Sequence, residues 1–127
     1  MDVQPTRPTA KGPSEWFTGD VWVDTITTAG EGSPASVAAV HFMPGARSAW
    51  HTHVGGQTLY VTEGRGLVQA RGEAIVHLRA GDVHVTADGQ EHWHGADGEH
   101  LMTHISITHG SLEWGEHVTD EEYRGDR

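Results

Sequence analysis

Cysteine is missing from this chain, which removes disulfides, thiolate metal ligands and a cysteine nucleophile together. Positive charge is scarce. Eight Lys and Arg stand against eighteen Asp and Glu, and the net charge of −10 repels nucleic acids and anionic membrane surfaces overall. Long apolar runs are wanting too: none approaches the length that spans a bilayer, and Met1-Asp2-Val3 opens without a basic leader and apolar core. The expectation is a soluble cytoplasmic protein with neither a nucleic-acid nor a membrane partner. Heptads and sustained helical periodicity are also absent, while 17 glycines punctuate short apolar segments, which points to the all-β class. A chain of 127 residues fits one domain with a single core.

Residues 1–13 carry Pro5, Pro8 and Pro13 and read as an extended N-terminal arm, either mobile or laid across a partner subunit, with no catalytic part; residues 14–127 form the single domain. Strand signals follow at Val21–Ile26, Ser36–Met43, Gln57–Thr62, Leu67–Ala70, Ala74–Leu78, Val83–Thr86 and His100–Thr108. Turn chemistry separates them, including Pro44-Gly45, Gly55-Gly56, Glu63-Gly64, Asp88-Gly89 and Asp97-Gly98. Strands of this spacing predict a sandwich or barrel. Thr119-Asp120-Glu121-Glu122 has the form of a capping box and predicts a short C-terminal helix.

The chemistry concentrates in "WHTHVGGQTLYVTEG", residues 50–64. Side chains at i and i+2 of a strand share a face, so His51 and His53 project together, and Gln57, Leu59 and Val61 have the same parity. His-x-His is the tightest way for one strand to offer two imidazoles to one ion, and Gly55-Gly56 lets the chain bend so that a carboxamide oxygen approaches. His92-Trp93-His94 repeats the spacing after the Asp88-Gly89 turn, and His104 has inward parity with Met102, Ser106 and Thr108. Three imidazoles on one interior face without a cation leave ring nitrogens unpaired at roughly 1–3 kcal/mol each. A metal held by His51, His53 and His92 resolves that cost. His41, His77, His84, His100, His109 and His117 have no such spacing partner and are read as surface or satisfied-core histidines.

These residues carry a family resemblance. Gly45, five residues, His51-Thr-His53, three residues, Gln57, six residues and Gly64 resemble the first motif of the cupin superfamily, with Gln57 where most cupins have Glu. Gly81, five residues, Ala87-Asp-Gly89, two residues and His92 resemble the second motif, with Ala87 in place of the usual Pro and Ala96 in place of the usual Asn. The resemblance implies an antiparallel β-barrel of jelly-roll type with a divalent metal inside. Over nearly the whole chain, "GPSEWFTG", "PGARSAWHTHVGGQTLYVTEGRG", "GDVHVTADGQEHWHG" and "MTHISI" are similar to the small bacterial manganese cupins that act as hydroxynitrile lyases. That resemblance implies His51, His53, Gln57 and His92 as metal ligands and places His94 and His104 beside the open coordination sites. It also implies Ala38 and Val40 as substrate-cavity walls. Thr108, with Val54 to Gly56, falls where the lyase-like proteins vary most and belongs to the substrate pocket. Leu59 is read as a further apolar wall.

Three neutral imidazoles and a neutral carboxamide leave the charge of a divalent ion uncompensated, where Glu would cancel one unit. That favours Lewis-acid chemistry over oxidation of the metal. Manganese is the metal implied by resemblance; Fe, Zn, Ni and Co suit the same donor set. For a cyanohydrin of the mandelonitrile type, His104 is expected as general base and His94 as substrate-orienting group or second proton carrier. A metal-dependent dioxygenase or isomerase, or a non-catalytic small-molecule-binding cupin, would use the same ligands. Leu101, Ile105 and Ile107 have the parity opposite to His104, and a homodimer or higher homo-oligomer is expected to cover that row. Trp16, Phe17, Trp22 and Trp114 fit either that seam or the core.

Overall fold

In a computed structural model that describes residues 3–30 and 32–125, the short apolar segments form strands. They are Ala10–Lys11 (β1), Phe17–Thr18 (β2), Val21–Thr27 (β3), Ser36–Phe42 (β4), Arg47–Ser48 (β5) and His51–His53 (β6), then Gln57–Ala70 (β7), Val76–Arg79 (β8), Val83–Thr86 (β9), His92–Ala96 (β10), Met102–Thr108 (β11) and Leu112–Trp114 (β12). Every pairing among the described residues is antiparallel. One sheet runs β1-β3-β4-β11-β7-β9. The other is centred on β10, which pairs with β7, β5 and β6, and is extended by β8, β2 and β12. This curled double sheet is the all-β barrel that the spacing predicts.

The 14-residue β7 belongs to both sheets: residues 57–64 pair with β11, and residues 66–70 pair with β10. Glu63-Gly64 therefore lies inside a strand, and the two segments expected around that turn are fused. Gly64 makes this continuation feasible with φ of 76°, and a Cβ there would stand 1.7 Å from the Leu101 carbonyl oxygen. The strand kinks and changes sheets without ending. Segment 100–108 shortens to β11 because Asp97 Oδ1 accepts hydrogen bonds from the backbone N–H groups of Glu99 and His100, which holds the preceding residues in a turn. The two- and three-residue strands β1, β2, β5 and β12 were not expected; segments that short show too little alternation to be recognised.

An apolar cluster of Val21, Val40, Phe42, Val61, Val68 and Met102 fills the space between the sheets. Complete burial of side chains such as Phe42 contributes roughly 1.5–3 kcal/mol each. A second cluster, Trp50, Leu67, Trp93 and Val118, lies under the C-terminal helix Asp120–Arg124 (α1). Thr119 and Glu122 form the expected reciprocal capping box, and Gly125 closes the helix in the left-handed conformation. The Tyr123 hydroxyl donates to the Ala96 carbonyl at 2.7 Å, and buried Arg47 donates to the Val118 carbonyl at 2.7 Å and to Asp120 at 2.9 Å. The helix thus covers the second sheet and leaves the Ile105 row of the first sheet open.

The N-terminal segment is laid along its own sheet. Arg7 donates to Thr28 at 2.9 Å, Thr9 donates to Asp24, and β1 pairs with β3. Met1 and Asp2 lie outside the described residues. No helix among the described residues is long and apolar enough to cross a membrane.

The glycines allow a direct check of the strand crossing. Gly72 also has positive φ, at 83°, but nothing lies within 4 Å of a Cβ built there. Gly72→Ala is expected to cost roughly 1–2 kcal/mol of unfolding free energy from backbone strain alone. Gly64→Ala adds a backbone collision and should cost more than about 3 kcal/mol or abolish soluble expression. Urea denaturation of the two variants checks this; equal costs would contradict the crossing at Gly64.

Candidate metal centre and its cavity

His51 and His53 sit at the two ends of β6, both buried, with half-exposed Thr52 on the opposite face. Strand β10 brings His92 directly opposite His51. One ligand atom from each of the three imidazoles can be chosen so that all lie within 4.8 Å of one another. The fourth expected member arrives from the other sheet. Gly55 and Gly56 take φ of 95° and 79°, turning the chain from β6 into β7 so that its first residue, Gln57, points inward and is 6% exposed. A Cβ on Gly56 would lie 2.6 Å from the Thr86 carbonyl oxygen, so the turn needs glycine for space as well as conformation. The two motif loops are tied together: the Gly55 N–H donates to Asp88 Oδ1 and the Gly89 N–H donates to the His53 carbonyl, both at 2.9 Å.

Backbone carbonyls prepare the imidazoles. His51 Nδ1 lies 2.8 Å from the Ala49 oxygen and His92 Nδ1 lies 3.0 Å from the Gln90 oxygen. A ring nitrogen beside a carbonyl oxygen must carry the proton, so Nε2 of each ring keeps its lone pair free, as a ligating imidazole requires. Both ring nitrogens of His53 are buried and make no hydrogen bond of good geometry among the described residues, although the Gln57 side chain lies close enough to favour the ring's protonated form. Gln57 Oε1 approaches His92 Nε2 at 3.1 Å, acceptor against acceptor, an arrangement relieved by a cation between them. These residues fit a divalent ion with N and O donors. Burial also keeps the rings neutral: it lowers His53 to about 4, takes His51 well below the usual imidazole range with help from His92, and lowers His92 itself.

Beside this cluster lies a second pair. His104 Nε2 and His94 Nδ1 are 2.9 Å apart, so the two imidazoles share one proton, and Phe42 packs edge-on to His94 and tilted against His104. Burial pushes His104 down to about 4 and His94 well below its ordinary value, the latter aided by His104. Their outer nitrogens, His94 Nε2 and His104 Nδ1, are buried without partners.

A cavity of about 510 Å³ opens onto both groups. It is lined by His51, His53, Gln57, His94 and His104, whereas His92 lies behind it and is fully buried. Of the expected pocket residues, Val40 and Thr108 line the cavity. Ala38 and Leu59 do not. The short Ala38 side chain packs into the apolar cluster, and Leu59 is completely enclosed. Trp16, Phe17 and Trp114, which fitted either seam or core, all form cavity wall, with Trp16 stacked on Trp114 at 5.3 Å and Trp114 placed 4.9 Å from His51. Trp22 lies apart on the outer sheet face, 40% exposed. Ala10, Lys11 and Pro13 also reach the cavity, so the N-terminal segment contributes to the site's walls. The β12–β6 register that sets Trp114 opposite His51 is a long-range pairing with no local signature in the sequence.

Comparison with known proteins agrees with this architecture. The cupin domain model matches residues 38–108. The chain is 45% identical to an (R)-mandelonitrile lyase of Granulicella tundricola over 123 residues, 94% of each protein. Among solved structures, a cupin-like protein of Thermotoga maritima superposes with a TM-score of 0.88 at 42% identity, covering 98% of this chain and 96% of that one. A cupin 2 conserved barrel domain protein of Rhodopseudomonas palustris shares the fold with a TM-score of 0.72 at 16% identity, over 94% of this chain and 84% of that one.

The buried imidazoles set a pH dependence for the metal-free protein. Their ordinary value is 6.5, while His53 and His104 are held near 4 in the folded state. Between these values the unfolded chain binds more protons, so stability is full above about 6.5 and is lost as pH falls toward 4. Thermal melts of metal-free protein should show a melting temperature that declines steadily from pH 6.5 to 4.5. A flat profile would contradict neutral burial of these rings.

Proposed function

The chain belongs to the cupin family, and we propose that it is a divalent-metal-dependent lyase that reversibly cleaves aromatic cyanohydrins of the mandelonitrile type to aldehyde and cyanide. The observation that carries this reading is the 45% identity to the (R)-mandelonitrile lyase over 94% of both chains. The cavity supports it: an aromatic wall of Trp16, Phe17 and Trp114 stands beside a cluster of imidazoles, which suits a substrate with an aryl group at one end and a hydroxyl and nitrile at the other.

In this reading His51, His53, Gln57 and His92 hold the metal, with manganese the proposed ion. The bound cation would supply Lewis acidity toward the oxygen or nitrile of the substrate. The protein's own part is proton management. Cleavage removes a proton from the cyanohydrin hydroxyl, breaks the carbon–carbon bond and returns a proton to cyanide. His104 is assigned as general base and His94 as second carrier; a proton gained by one ring can be handed to the other across their 2.9 Å contact. Burial disfavours the imidazolium that forms, so the pair gives its proton up readily to the departing cyanide. Val40 and Thr108 border the same space and bear on which aryl group is accepted.

We also propose a homodimer. On the outer face of the first sheet Val83 lies opposite Tyr60, Tyr60 opposite Ile105 and Ile105 opposite Ala39, a continuous row. Tyr60, Val83 and Val85 remain 46%, 61% and 67% exposed in a single chain. A second copy related by a two-fold axis would cover this face.

Metal-loaded protein incubated anaerobically with racemic mandelonitrile should release benzaldehyde and cyanide, and His104→Ala should lower kcat by about 100-fold or more. No release, together with oxygen uptake on a diketone or catechol, would replace the lyase reading with an oxygenase. Full activity in His104→Ala would remove that residue as base. Light scattering should give the mass of two chains, and Val85→Glu should shift it to one; a wild-type monomer would overturn the dimer.

A further inference from the structure

Gln57 is the one proposed metal ligand that is not an imidazole. A carboxamide has two ends of nearly equal size, of which only the oxygen can offer a lone pair to a cation. A glutamate at the same place would present an oxygen whichever way it turned. Gln57 therefore needs an orienting partner that glutamate would not.

We propose that Thr108 is the positioning residue for Gln57, accepting a hydrogen bond from Nε2 so that Oε1 faces the imidazole cluster. Gln57 Nε2 donates to Thr108 Oγ1 at 3.1 Å while Oε1 lies 3.1 Å from His92 Nε2. Thr108 is the register partner of Gln57 across the β11–β7 ladder and pairs with Ser36 of β4 on its other side, so two strands fix its backbone. The strand flanking Gln57 on its other edge also brings a threonine, Thr86, but that hydroxyl is buried without a partner. Of the two neighbours, only Thr108 engages the amide.

The bond does more than hold a rotamer. Positive charge at the carboxamide oxygen draws electron density from the nitrogen and makes its N–H a stronger donor, while an acceptor on that N–H makes the oxygen a better ligand. Each bond strengthens the other. With glutamate at position 57 the sense reverses: the Thr108 hydroxyl could only donate, withdrawing density from the carboxylate. Thr108 should thus support ion binding by Gln57 and give no support to a glutamate.

This inference rests on the metal reading above, and its test is a binding measurement independent of turnover. Manganese(II) dissociation constants, read from the EPR signal of the free ion, are compared for wild type, Thr108→Val and Thr108→Ser, each with Gln57 and with Gln57→Glu. With Gln57, Thr108→Val should weaken binding by about ten- to a hundredfold, and Thr108→Ser should stay within about threefold of wild type. With Gln57→Glu, Thr108→Val should cause no loss. Metal-free melts confirm that each isosteric variant folds. Equal losses in both backgrounds, or none with Gln57, would overturn the positioning role alone. A wild-type protein that takes up no manganese would overturn the metal reading and this inference with it.

Discussion

An imidazole that leaves water needs a partner for each ring nitrogen, and His51, His53, His92, His94 and His104 all lie buried in one small barrel. The protein meets that demand unevenly. Two rings are tethered by backbone carbonyls, two share a proton, and His53 has only the nearby Gln57 side chain, with no hydrogen bond of good geometry among the described residues. The same desolvation that makes the arrangement costly keeps the rings neutral, and the neutral imidazole is both the form that ligates a cation and the form that accepts a proton. Burial therefore prepares both proposed roles, and the rest of the fold determines which ring takes which.

Division of labour follows from the sheets. His51, His53 and His92 come from β6 and β10, in a register that sets two of them directly opposite. Gln57 comes from the other sheet, delivered by a glycine turn whose neighbour loop is tied to it through Asp88. His94, two residues beyond His92 on β10, reaches past the cluster to meet His104 of the first sheet. The site thus sits where the two sheets face each other, and its halves are held in place by different ladders. In the proposed centre a neutral carboxamide in the fourth position would leave the charge of a divalent ion undiminished, which would favour polarising a bound substrate over changing the ion's oxidation state.

Access is shaped by parts of the chain that take no part in the chemistry. The Trp16–Trp114 stack, Phe17 and the Ala10–Pro13 segment wall the cavity, so peripheral short strands set its shape. On the far side, Arg47, Tyr123 and the capped helix seal the second sheet and shield Trp93, the residue between His92 and His94.

Local periodicity carried much of this into view. The shared face of His51, His53, Gln57, Leu59 and Val61, the repeat at His92 and His94, the inward parity of His104 and the capping box at Thr119 all depend on residues a few positions apart, where strand and helix geometry leave little choice. The fusion of two expected strands through Gly64 was hidden because a glycine signals a turn and a kinked strand alike until the Leu101 carbonyl is seen against it. Ala38 and Leu59 had the right parity for cavity walls but are enclosed by packing, which depends on side-chain length and neighbours from other strands. The His94–His104 bond, the Trp114–His51 contact and the grip of Thr108 on Gln57 join residues distant along the chain. The sequence by itself determined which side chains face inward and what chemistry they can offer, because alternation along a strand is a property of adjacent residues. Which of them meet was decided only by the tertiary structure, because strand register is set by the packing of the whole barrel.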